Sequence, residues 1–165
     1  MIFGDPYDFA VIYEKVEESN DGYWKFGFFN FVIKDELFPA KGSNYTLHMA
    51  INYLKDSVEE IDNCRPLDDH SINECELFGL IAHSHIKILD TDPDDFEIIP
   101  SQPIGVDLSP VEISDVGFYL FYYIENGDYE SLIFSKDYGV TISKVMFPKG
   151  TIKKVLNKLP DKDSI

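Results

Sequence analysis

The chain has 165 residues, of which 44% are hydrophobic and 15% aromatic, so it suffices for one domain that buries about two-thirds of its unfolded surface. This aromatic content excludes a disordered chain, and no apolar run approaches the roughly twenty residues that span a bilayer. Fourteen basic residues against thirty acidic ones give a net charge of −16. Such a charge disfavours direct binding to nucleic acid or an anionic membrane, because phosphate groups attract Lys and Arg.

Cysteine usage and the first residues indicate the cell compartment. Cys64 and Cys75 are the two cysteines of the sequence, and two do not make a disulfide framework. The segment 1–6 lacks the basic region and the long apolar core of a signal peptide. We therefore predict a cytoplasmic protein with both thiols reduced.

Two strands are predicted at the start of the chain. Asp8–Glu17 predicts a first strand, with Phe9, Val11 and Tyr13 on one face and Ala10, Ile12 and Val16 on the other. The turn cluster 19–22 then ends in Gly22, which tolerates a positive φ. Six of the eleven residues in Tyr23–Ile33 are aromatic, and both faces of this segment are largely apolar. The pattern predicts a β-hairpin whose second strand is interior to the sheet.

Two helices are predicted next. Ser43 is a candidate N-cap, and apolar residues then recur at three- and four-residue spacing at Leu47, Ala50, Ile51, Leu54, Val58 and Ile61. A second helix is predicted from about Ile72 to His83, with Asp69 or Ser71 as cap. Its inward residues are expected to be Leu77, Leu80 and Ile81.

The second half of the chain predicts a long loop, a strand meander and a helix. Four prolines interrupt the acidic segment of about 90–110 and allow only short edge strands. Strands are predicted at 117–125, 129–135 and 140–147, with a type I′ turn at Asn126-Gly127. A Lys-rich helix is expected at about 149–159. The whole order predicts one α+β domain over residues 1–165, a mainly antiparallel sheet with helices packed against it.

The strongest candidate for a metal site is His83-Ser84-His85, which would place two imidazoles on one face of an extended segment. The chain has no paired CxxC, and its two cysteines lie eleven positions apart. We therefore predict no cofactor, no metal and no catalytic residue. A small metal-dependent enzyme that uses the two histidines with nearby carboxylates is kept as an alternative.

Acidic residues concentrate in the middle of the chain. Residues 56–97 hold thirteen acids against Arg65 and Lys87, a balance of −11. Because salt screens charges beyond about 8 Å, a local cluster matters more than net charge. The cluster favours a face that binds a basic protein over plain solubility, with Tyr45, Tyr53 and Phe96 as candidate aromatic anchors or core residues. The predicted contact residues are Glu59, Asp62, Asp68, Asp69, Asp90, Asp92, Asp94, Asp95, Phe96 and Glu97.

The N-terminal pattern resembles a known family. The matching segments are Met1–Pro6, Phe9-Ala10, Tyr13–Val16, Phe28–Ile33, Leu37–Ser43 and Leu47. They resemble immunity proteins of bacterial polymorphic-toxin systems, including contact-dependent growth inhibition, over about the first fifty residues. The resemblance implies a cytoplasmic, non-enzymatic protein that neutralises a cognate toxin by binding its C-terminal domain.

Many toxins of such systems are nucleases with basic active sites. The resemblance and the acidic cluster together predict an immunity protein that blocks a basic nuclease toxin sterically and electrostatically. The resemblance assigns no contact residues, so the acidic set above rests on charge alone. A generic acidic adaptor without a toxin partner is a further alternative.

Overall fold

A computed structural model describes residues 1–40 and 44–165. Its elements, in chain order, are β1 (Ile2–Gly4), β2 (Phe9–Glu18), β3 (Lys25–Ile33), β4 (Glu36–Phe38), β5 (Tyr45–Thr46), α1 (Leu47–Asp62), α2 (Glu74–Ser84), β6 (Val106–Asp107), α3 (Val111–Asp115), β7 (Tyr119–Ile124), β8 (Tyr129–Ser135), β9 (Ile142–Pro148), α4 (Thr151–Leu156) and a 3₁₀ turn, Lys162–Ser164. The strands form two antiparallel sheets. The α+β prediction is confirmed.

The first sheet has the order β1-β2-β3-β4, with β5 also paired to β3. The predicted hairpin is confirmed, since β2 and β3 pair antiparallel from Phe9 opposite Ile33 to Glu18 opposite Lys25. Gly22 has the expected positive φ of 70° in the connecting turn. The aromatic strand β3 is therefore an interior strand of the sheet, with a hydrogen-bonded strand along each edge.

The two faces of β3 differ in burial. Phe29, Phe31 and Ile33 are buried in the main core. On the opposite face Val32 is buried, whereas Trp24 and Phe28 are 43% and 48% exposed, so the apolar pattern of this face does not by itself mean burial.

The second sheet has the order β6-β7-β8-β9. Every residue of β7 is buried, since its two faces meet two different partners. Leu120, Tyr122 and Ile124 pack in the main core with the first sheet and α1. Phe121 and Tyr123 pack against α2 in a second cluster. The second sheet thus carries α2 on its outer face.

The turns between β3 and β4 and between β7 and β8 differ in whether their residues have a positive φ. Lys34 and Asp35 both have a positive φ, of 50° and 67°, as a type I′ turn between β3 and β4 requires. Neither Asn126 nor Gly127 has a positive φ, so the type I′ prediction at that turn is wrong. The Asn126 side chain instead accepts hydrogen bonds from the backbone N–H groups of Asp128 and Tyr129, at 2.8 and 3.0 Å. This local Asx interaction replaces the need for left-handed residues.

The start of α1 differs from the prediction. Ser43, the predicted cap, lies outside the described residues, and Thr46 occupies the N-cap position of a helix that begins at Leu47. The Thr46 side chain does not cap the helix. Instead the backbone N–H and the side-chain hydroxyl of Thr46 both donate to the carboxylate of Glu112, at 2.7 and 2.8 Å. A carboxylate from α3 therefore stands at the positive end of α1, where the helix dipole favours negative charge.

The remaining helices are close to their predicted places. α2 is capped by Asn73 rather than Asp69 or Ser71, and Leu80 is exposed rather than inward. α4 occupies the central part of the predicted 149–159 segment. The segment from Asp90 to Pro110 is irregular apart from β6. Among the described residues, no helix is long and apolar enough to cross a membrane.

Candidate protein-binding surface

A groove of about 790 Å³ opens beside α2. Its walls come from the end of α1, the 63–73 connection, α2 and the 102–105 segment. The apolar lining includes Pro66, Leu67, Ile72, Leu77, Leu80 and Ile104. Acidic side chains of Glu60, Asp68 and Asp69 stand at the groove together with Arg65. The lining thus combines apolar side chains with carboxylates that outnumber the one guanidinium.

The connection between α1 and α2 is fixed to the second sheet. The N–H of Leu67 donates to the carbonyl of Ile124 at the end of β7, at 3.2 Å. The carboxylate of Asp69 accepts hydrogen bonds from the N–H and hydroxyl of Ser71, at 2.8 and 2.6 Å. The side chain of Asn73 then accepts from the N–H of Glu76 at 2.9 Å and caps α2. Short local bonds therefore hold this wall in one conformation.

The opposite wall is attached to the C-terminal end of α2. The N–H of Ile104 donates to the Ser84 hydroxyl at 2.9 Å. The Nε2 atom of His85 lies 3.0 Å from the carbonyl oxygen of Ile104. Both bonds come from the last turn and cap of α2, so Ile104 reaches the groove through contacts that sequence spacing could not show.

The predicted acidic residues fall into two groups. Asp68 and Asp69 line the groove, and Glu59 and Asp62 lie at the end of α1. Hydrogen bonds from Ser71 hold the pKa of Asp69 below its usual value, so this carboxylate stays charged. Asp62 forms an ion pair with Lys153 of α4. The structure adds Glu60, a groove residue that the predicted contact set omitted.

The second group lies at the C-terminal end of α2. Asp90, Asp94, Asp95 and Glu97 are exposed in the loop that follows the helix. In contrast the side chain of Asp92 is only 8% exposed and lies beside His83. Since α2 has eleven residues, its ends lie about 16 Å apart. Asp68 and Asp69 therefore precede the helix in the chain, and the second group follows its far end.

The aromatic candidates have different environments. Tyr45 is buried in the main core, and the half-buried Tyr53 donates its hydroxyl to the carbonyl of Asp107 at 3.0 Å. Phe96 is more exposed and lies over the His83 ring, with centroids 4.5 Å apart. Of the three, only Phe96 presents its ring beside the acidic loop.

The histidine pair has a geometry that differs from the prediction. His83 belongs to the last turn of α2 and His85 is its C-cap, so they do not lie in an extended segment. Nε2 of His83 contacts Asp92, whereas Nε2 of His85 contacts the Ile104 carbonyl. Within residues 1–40 and 44–165, no three His, Cys, Asp or Glu side chains are grouped to hold a metal ion.

The sequence patterns did not predict that several apolar residues of this region are exposed. Leu80 follows the helical spacing of a core residue but is 48% exposed beside the groove. Ile86 and Ile88 are exposed just after α2. The apolar residues at the end of α2 are a sequence signal for this surface. Their spacing cannot be distinguished from that of buried core residues.

Comparisons with known proteins agree with the N-terminal resemblance. The chain is 30% identical to an uncharacterised protein of Pasteurella multocida (strain Pm70) over 169 residues, or 98% of this chain and 99% of that protein. Its fold is similar to the crystal structure of CdiI from Burkholderia dolosa AUO158, with a TM-score of 0.71 and 18% identity over 95% of this chain and 96% of that chain. The family model of Immunity protein 42 matches residues 1–162. The chain therefore belongs to the Immunity protein 42 family.

Proposed function

We propose that this immunity protein is a cytoplasmic, non-enzymatic inhibitor that binds the C-terminal domain of one cognate toxin. The family match over residues 1–162 carries the proposal, and the fold shared with CdiI supports it. We further propose that the toxin is a basic nuclease. The support for this step is the acidic surface around α2, because nuclease sites hold phosphate with Lys and Arg.

The proposed mechanism is competition for the cationic site of the toxin. Carboxylates around α2 pair with Lys and Arg side chains that otherwise hold nucleic-acid phosphate. The net charge of −16 accelerates the encounter with a basic partner. Packed apolar contacts and desolvated ion pairs then slow dissociation. The bound inhibitor also blocks the substrate sterically.

The proposed contact surface has two parts with different roles. One part comprises Glu59, Asp62, Asp68 and Asp69 near the groove, and the other comprises the exposed acids and Phe96 of residues 90–97. Asp92 supports the second part from within, since its carboxylate is turned to His83. Charge-reversal experiments on the loop should therefore use exposed Asp94 and Asp95 and leave Asp92 unchanged.

Co-purification tests the proposed partner. A tagged form of this protein is co-expressed with the C-terminal domain of the toxin-like reading frame immediately upstream of its gene. The expected result is a stoichiometric complex that inhibits cleavage of RNA or DNA by that domain. A stable complex without nuclease inhibition would contradict the nuclease assignment. Absence of a complex would contradict the immunity mechanism itself.

A further inference from the structure

The groove beside α2 has a shape and chemistry that fit one part of a partner. We propose that it seats a toxin segment in which an apolar side chain is flanked by Lys or Arg. This inference rests on the proposed function and adds the docking position. The occupant enters beside Leu80, and its cationic groups reach Glu60, Asp68 and Asp69.

The apolar side chains of the lining favour an apolar side chain of the partner in the groove. Leu80 remains 48% exposed although its helix neighbours Leu77 and Ile81 are buried. Leu67, Ile72 and Ile104 line the same groove. Exposed apolar surface that is grouped in a concavity and rimmed by polar residues is typical of protein-binding sites. A buried apolar anchor in such a pocket supplies much of the binding energy.

Charge complementarity identifies the chemistry around that anchor. Three carboxylates stand at the groove against one guanidinium, that of Arg65. Hydrogen bonds from Ser71 lower the pKa of Asp69 and also fix the direction of its carboxylate. The adjoining acids of α1 add to the negative potential. A segment with Lys or Arg is attracted to these carboxylates, whereas an acidic segment is repelled.

The groove is preformed, which favours tight binding. Asp69 and Asn73 hold one wall through hydrogen bonds to backbone N–H groups. Ile104 of the other wall is bonded to Ser84 through its N–H. Binding therefore requires little ordering of this protein. The loss of conformational entropy on association is smaller than it would be for a flexible groove, which favours a lower Kd.

A matched pair of substitutions tests the docking position. Leu80 lines the groove, whereas Leu37 lies in β4 of the first sheet, and they are 48% and 50% exposed. Leu80→Arg should raise the Kd for the upstream-encoded toxin domain by about tenfold or more, since it removes an apolar contact of the anchor and adds a charge that repels the flanking Lys or Arg. Leu37→Arg should change the Kd by less than about twofold. Equal effects of the two variants, or no effect of Leu80→Arg, would overturn the proposal.

Thiol labelling of the wild-type protein provides a test that needs no variant. Cys64 lines the groove, and burial raises the pKa of its thiol. Cys64 should lose most of its reactivity towards iodoacetamide in the toxin complex, because the seated segment covers it. An unchanged rate in a stable complex would overturn the groove assignment and leave the immunity function standing. If the wild-type protein forms no complex, both proposals fail.

Discussion

Nε2 of His83 lies 3.0 Å from both carboxylate oxygens of Asp92, so the last turn of α2 is joined to the acidic loop that follows it. The same carboxylate accepts a hydrogen bond from the N–H of Leu89 at 2.8 Å. The ring of Phe96 lies over the imidazole. Through these contacts one nearly buried acid fixes the loop that presents its exposed neighbours.

Asp92→Ala should loosen this loop. The variant leaves the N–H of Leu89 and the His83 ring without their acceptor, which costs about 1–3 kcal/mol. Backbone amides of residues 89–97 should exchange with deuterium faster, and the free energy of unfolding should fall. Asp94→Ala, at an exposed position of the same loop, should change stability by less than about 0.5 kcal/mol. Similar exchange in both variants would contradict the bracing role of Asp92.

Ile86→Gly should stabilise the protein. Ile86 has a φ of +60° and follows the C-cap of α2. Its N–H donates to the carbonyl of His83 at 3.0 Å, and the N–H of Lys87 donates to that of Ala82 at 2.9 Å. These are the two bonds of a Schellman motif, in which glycine avoids the steric cost of a left-handed residue. We expect a gain of about 1 kcal/mol in urea unfolding.

The control for this prediction is Ile88→Gly. Ile88 is also exposed, but its φ is not among the positive ones. Glycine there increases the entropy of the unfolded chain without relieving strain, so stability should fall or stay constant. A gain in both variants would show that loss of an exposed isoleucine, rather than the backbone conformation, causes the effect.

Glu125 and Lys144 should stabilise the second sheet across the neutral pH range. Burial raises the pKa of Glu125, but hydrogen bonds from Lys144 and two hydroxyls outweigh it and hold the pKa below its usual 4.5. Burial lowers the pKa of Lys144, but the bond to Glu125 outweighs it and raises the pKa above 10.5. The Glu125 contribution is therefore present above about pH 4.5 and lost as pH falls through its lowered pKa. The Lys144 contribution is present below pH 10.5 and lost as pH rises through its raised pKa.

A double-mutant cycle measures this pair. Glu125→Gln should lower the free energy of unfolding at pH 7 by about 1–3 kcal/mol and flatten its decline in acid. Lys144→Met should lower it similarly, and the double variant should lose less than the sum of the two. Strict additivity at pH 7 would contradict the proposed coupling.

The acidic loop should control the rate of toxin capture. Asp94→Lys with Asp95→Lys should slow association with the upstream-encoded domain and flatten its dependence on salt, because steering acts through long-range charge. The matched control is Glu14→Lys with Glu17→Lys, an equal change of charge at exposed positions of β2. Equal slowing in both double variants would assign steering to net charge rather than to the loop.

The sequence predicts elements that have a clear period. The bounds of β8 coincide with the predicted 129–135, and the apolar stripe of α1 is buried as expected apart from half-buried Val58. β4, β5 and α3 were not predicted, because elements of two to five residues are too short to show a period. Phe28 and Leu80 have core-like patterns yet are exposed, since a pattern does not show which face another element will cover.

The candidate site was only partly predictable for the same reason. The acidic composition of residues 56–97 is visible in the sequence. The separation of those acids into two groups depends on how α2 packs on the second sheet. The groove further depends on Ile104, which is brought to α2 by hydrogen bonds from residues nineteen or twenty positions away. Such long-range contacts leave no local signal.

The proposed immunity function can be tested by the growth of bacteria that express the upstream-encoded toxin domain in the cytoplasm. We expect growth to stop without this protein and to be restored when the protein is co-expressed, while an unrelated toxin of the same class still kills. Growth arrest that persists despite abundant, folded protein would contradict its function as an inhibitor of that toxin.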